Sequence, residues 1–200
     1  MKLFSTLLFA LLVTFSSFSQ SHKEEITKNA ETYYEYMTNQ NFDGVLDYMY
    51  PKVFDTASKE QMKAGMEQMF NSPDMKIEFV SNTVTDVTDK MEVENITYAA
   101  IFYNSKMRMT FISEKDKSEE EQKSFLEFME GIMKTQFGET NVTSDLKTVS
   151  LLINMDANMF AIKDPKYDGW KFIGNDDTMK ELVNSIIPES VRTTLLKEKK

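Results

Sequence analysis

Apolar positions along this chain recur first at helical spacing and later at two-residue spacing. Ile26, Ala30, Tyr33, Tyr34 and Met37 fall at i, i+4, i+7, i+8 and i+11, which is one face of a helix. Ser21 and Glu24 form a capping box ahead of it. Phe42, Val45, Leu46, Met49, Tyr50 and Val53 repeat the spacing behind a candidate cap at Asn41, and Pro51 ends or kinks that second helix. Ser58 and Gln61 form a further box before Met62, Met66, Met69 and Phe70, and Asn71-Ser72-Pro73 breaks the pattern.

The period then changes. Met75, Ile77 and Phe79 alternate with Lys76 and Glu78, the mark of a strand. After the polar stretch Asp86–Lys90 comes a long alternation, Ala99, Ile101, Tyr103, Ser105, Met107, Met109 and Phe111, with Asn104, Lys106, Arg108 and Thr110 opposite. It reads as one long bent strand or as a hairpin turning near Asn104-Ser105. Ser118 and Glu121 then cap a helix with an apolar stripe of Phe125, Phe128, Met129, Ile132, Met133 and Phe137, stopped by Gly138. Three short strands are predicted at 148–155, 158–164 and 168–174, with turns at Asp156-Ala157 and Asp164-Pro165-Lys166. Thr178 and Glu181 cap a helix bearing Leu182, Val183, Ile186 and Ile187, and Pro188 begins a last one. This order predicts an α+β fold: N-terminal helices on a curved antiparallel sheet, an inserted helix and C-terminal helices.

The first residues belong to a different pattern. Lys2, the apolar run Leu3–Phe15 and the small residues Ser16, Ser17 and Ser19 form a signal peptide over 1–19 with cleavage after Ser19. The expected domains are therefore the signal peptide and one α+β domain over 20–200, with a helical extension at 176–200. Localisation is expected to be periplasmic or extracellular. The apolar run is too short to cross a bilayer, and no later segment approaches about 18 consecutive apolar residues, so no membrane span is expected.

Composition narrows the chemistry. The net charge is −9 with Arg present only at 108 and 192, which argues against nucleic acid as a partner. With no Cys there is neither a disulfide nor a thiol nucleophile. The one His, His22, lies two residues past the cleavage point and is expected on a frayed end, which removes His-based triads and His-based metal sites. No cofactor and no metal site is expected: Asn175-Asp176-Asp177 reads as a helix start rather than a calcium site, and Asp156-Ala157-Asn158 as a turn. The close methionines Met62, Met66 and Met69 are explained by helical spacing rather than by copper. Acid–base work by a carboxylate stays open, with Asp47, Glu92 and Glu94 as weak candidates and Tyr103 as a hydrogen-bond donor on the apolar strand face.

The chain resembles the NTF2-like (SnoaL-like, cystatin-like cone) superfamily. The resemblance rests on Tyr33-Tyr34-x-Tyr36 with Asn41-Phe42-Asp43, on the alternating strand around Tyr98–Phe111, and on Gly169-Trp170-Lys171-Phe172-Ile173. It covers roughly residues 24–175. The chain is also similar to small exported proteins of Bacteroidetes-type bacteria, whose signal peptides often end in Ser-Gln-like pairs. The superfamily resemblance implies a sheet curled round a helix, with a cone whose mouth holds an apolar ligand; the inserted helix and the C-terminal helices are departures that plug the mouth if they pack there. No catalytic motif of the family is matched. The expected function is an exported, non-enzymatic binding module. Its ligand surface is the apolar sheet face: Ile101, Tyr103, Met107, Met109, Phe160, Ile162, Trp170 and Phe172. The alternatives are a His-free isomerase or dehydratase using Asp/Glu and Tyr, and an envelope protein that works by association, including as a homodimer.

Overall fold

A computed structural model describes residues 22–197. The signal peptide expected over 1–19 and the cap expected at Ser21 lie outside the described residues. The fold is α+β, with helices against a six-stranded, curved, open antiparallel sheet. No helix among the described residues is long and apolar enough to cross a membrane.

The helical segment is as its side chains dictate. α1 runs over residues 22–38. α2, Phe42–Tyr48, is capped by Asn41, whose side chain accepts from the Gly44 N–H. It stops before Pro51, and Pro51–Asp55 forms a separate 3-10 turn, so the predicted second helix is broken in two. α3, Lys59–Phe70, carries the expected Ser58–Gln61 capping box. α4, Glu119–Phe137, carries the Ser118–Glu121 box and ends at Gly138, whose φ of 101° is ready for a residue without Cβ. α5, Lys180–Ile186, and α6, Glu189–Lys197, close the chain. The cap before α5 is not Thr178. Asp176 accepts from the N–H groups of Thr178 and Met179, because its carboxylate reaches forward over the turn to the amides two and three residues on.

The sheet order is β1-β3-β5-β4, with β2 added to β3 and β6 added to β5. β1 is Met75–Val87, β2 Met91–Val93, β3 Ile96–Phe111, β4 Val142–Asp145, β5 Ser150–Lys163 and β6 Lys171–Gly174. β3 is one long strand with no turn at Asn104-Ser105. The hairpin turn lies earlier, at Glu94-Asn95, where both residues take positive φ (52° and 64°). β5 is likewise one strand: no turn stands at Asp156-Ala157, and Asp156-Ala157-Asn158 pairs in register with Phe102–Asn104 of β3. Fourteen continuous partners on β3 hold the polar residues extended against their turn preference. β1 runs eight residues further than its clean alternation, through two register shifts at Val80 and Thr85. Each shift is a bulge, which bends the strand and reverses which residues point inward.

The unbroken β3–β5 register fixes the two faces of the sheet. One face carries Ala99, Ile101, Tyr103, Ser105, Met107 and Met109. α1 packs on one half of it through Ile26, Ala30 and Tyr34, and α4 on the other through Leu126. The opposite face carries Tyr98, Ala100, Phe102, Phe160 and Ile162, covered by Tyr50, Val53, Val183, Ile187, Val191 and Leu195. α5 and α6 therefore lie across the sheet from α1.

Candidate functional site

Between α1 and the sheet lies a cavity of about 130 Å3. Tyr33, Tyr34 and Met37 line it from α1, Phe79 and Asn82 from β1, Tyr103 and Ser105 from β3, and Met155 from β5. No residue of α4, α5 or α6 lines it, so the inserted helix stands beside the cavity rather than over it. The bulge at Val80 builds the site. Up to Phe79, paired with Met107, odd residues of β1 point to the sheet face that α1 and α4 share; past the bulge, even Asn82 stands opposite Ser105 and points to that same face. The displaced Val80 is left 49% exposed.

Polar groups converge here. The Asn82 Nδ2 is buried and has no hydrogen-bond partner among the described residues. The Tyr34 hydroxyl reaches only the Met159 sulfur, at 3.7 Å, a weak acceptor. Burial pushes the phenols of Tyr33, Tyr34 and Tyr103 up, helped at Tyr33 and Tyr34 by the neighbouring tyrosines and at Tyr103 by the charge of Asp176. All three therefore hold their protons at neutral pH and stand as donors. The rings of Tyr34 and Tyr103 are 5.2 Å apart and tilted, and Tyr33 meets Tyr34 edge-on at 5.5 Å. The result is a small aromatic chamber with an unused amide donor.

Of the eight residues expected to face a ligand, Tyr103 alone lines this cavity. Ile101, Trp170 and Phe172 share its face but are core under α1. Phe172 stacks on Tyr48 at 5.7 Å, and its carbonyl accepts from the Tyr50 N–H at 2.9 Å. Met107 and Met109 belong to the core beneath α4. Phe160 and Ile162 lie on the opposite face, beneath α5 and α6. At that end β5 is buried on both sides, so its composition carries no alternation to tell the faces apart. Asn82 and Met155 gave no sign in the sequence, whereas Tyr33, Tyr34 and Met37 are on the first helical stripe.

The carboxylates lie elsewhere. Asp47 is on the outer side of α2, 2.8 Å from Lys59, and Glu92 and Glu94 are exposed. The two carboxylates buried among the described residues, Glu114 and Asp164, are paired with Lys117 and with Tyr50. Among the described residues no group of three or more His, Cys, Asp or Glu is placed to hold a metal ion. His22 is not frayed: it opens α1 with Nε2 at 2.7 Å from the Lys90 Nζ. Compared with protein-family models, with curated proteins and with solved structures, the chain gives no match.

Proposed function

We propose that this protein is an exported, non-enzymatic binding module of NTF2-like type, in which α1 and the curved sheet form a cone that holds a small, largely apolar molecule with one hydrogen-bond acceptor. The observation that carries the reading is the Asn82 amide, buried and unpaired at a tyrosine-lined cavity. Leaving such a donor without a partner costs about 1–3 kcal/mol, a cost a bound acceptor removes. The size favours a single ring: about 130 Å3 is close to the roughly 150 Å3 at which an apolar cavity takes up benzene. Binding rather than acid–base chemistry is favoured because the residues lining the cavity include no carboxylate to pair with Tyr103.

Native mass spectrometry of protein purified gently from a bacterial periplasm tests the reading. A bound species of about one aromatic ring, released on denaturation, is the expected result. Protein that arrives bare and also fails to take up added phenol contradicts it.

A further inference from the structure

The two outer edges of the β3–β5 pair are closed differently. Along β3, β1 and β2 follow one another from Phe111 to Ile96, and between them the Thr88 N–H donates to the Ala100 carbonyl at 3.0 Å. Along β5, β4 covers Ser150–Ile153 and β6 covers Met159–Ile162. The Asn154 N–H donates to the Asn141 carbonyl at 2.8 Å, and the Asn158 carbonyl accepts from the Asn175 N–H at 3.2 Å. Between these two bonds no described strand lies opposite β5.

The direction of the free groups follows from the ladder. In an antiparallel strand a residue's N–H and C=O point to the same side, and the side alternates along the chain. The β3–β5 register has no shift between Thr97 and Thr110. Asp156 therefore turns both its N–H and its C=O away from β3, into the notch, as Asn154 and Asn158 do. This is a strand edge open over the positions opposite Met155, Asp156 and Ala157, about 10 Å at 3.4 Å per residue.

A cleft of about 470 Å3 opens on the notch. Its lining brings together two features that the sequence presents far apart: Asp156 and Asn158 of β5, and Asn175, Asp176 and Asp177 before α5. Neither Lys nor Arg lines it. The Asn154 Oδ1 is buried there with no donor among the described residues, and the Asp156 Oδ1 is held by the Asn104 amide at 3.1 Å.

We infer that the notch between β4 and β6 binds a short extended peptide of about three residues carrying positive charge. The peptide's middle residue exchanges two main-chain hydrogen bonds with Asp156, completing the broken strand, and its basic groups meet Asp156, Asp176 and Asp177.

Amide hydrogen exchange followed by NMR, with trilysine as the probe and triglutamate at equal ionic strength as the control, tests this. The Asp156 amide is expected to exchange as an open amide in the free protein and at least tenfold more slowly with saturating trilysine, while the Ala157 amide, directed at β3, stays protected throughout. Asp156→Pro is expected to fold, since its N–H points off the strand edge, and to lose trilysine binding, whereas Asp156→Ala retains part of it. The double variant Asp176→Asn/Asp177→Asn, which keeps the capping oxygen, is expected to weaken trilysine severalfold. An Asp156 amide already protected in the free protein, equal effects of trilysine and triglutamate, or undiminished binding by the double variant overturns the proposal.

Discussion

Tyrosines are buried on both faces of the sheet, and the two groups are finished in opposite ways. Beneath α5 and α6, Tyr50 is 1% exposed, and its hydroxyl donates to Asp164 Oδ2 at 2.8 Å. The other carboxylate oxygen accepts from the Lys166 N–H at 3.0 Å, and Tyr167 meets the Tyr50 ring edge-on at 5.6 Å. Burial alone would raise the Asp164 carboxyl; the Lys166 N–H, the Tyr50 hydroxyl and the charges of Lys166 and Lys52 bring it below the ordinary range instead. Under α1, by contrast, three tyrosines and Asn82 surround space, and the amide has no partner. A closed polar pair fixes how the turn after β5 docks on the 3-10 segment. An open donor beside a void is what a ligand completes.

The contrast is sharpest in the cost of deletion. Phe160→Ala removes a fully buried ring from the closed face and is expected to cost about 3–5 kcal/mol in urea unfolding, with a loss of about 10 °C or more in melting temperature. Tyr50→Phe is expected to cost about 1.5–3 kcal/mol at neutral pH, because it takes one partner from a buried carboxylate. That difference has a pH signature. A carboxyl whose folded pKa is lowered contributes stability that is present above its unfolded value, near pH 4, and is lost as pH falls through the folded value. The gap between wild type and Tyr50→Phe in acid unfolding should therefore narrow below about pH 4. Asn82→Leu, on the open face, should run the other way. Removing an unsatisfied amide is expected to leave stability unchanged or to raise it by about 1 kcal/mol.

Local chemistry made the helices legible. Ser58 with Gln61, Ser118 with Glu121, Asn41 and Gly138 act within one turn of themselves, so their signals survive folding. The face of β3 was legible for a similar reason, since its central stretch has apolar residues on one side and Asn104, Lys106 and Arg108 on the other. What failed was long-range. Asp156-Ala157-Asn158 has turn composition, yet its partners on β3, 52 to 56 residues away, keep it extended, and the missing neighbour on its other edge leaves room for polar side chains. The inward turn of Asn82 depends on a bulge at Val80 that no periodicity marks, so the cavity's one unpaired amide was invisible where Tyr103 was not.

The most direct measurement is phenol affinity, by titration calorimetry, for the wild-type protein and for Asn82→Leu, with benzene binding followed in parallel by NMR. Phenol fits the single-ring volume and offers an oxygen to the Asn82 amide. The account expects wild type to prefer phenol to benzene by about tenfold, the worth of one hydrogen bond, and Asn82→Leu to abolish or reverse that preference while folding normally. Phenol binding that is absent in the wild type, or equal in the two proteins, would contradict the claim that the open amide beside the tyrosines is a ligand site.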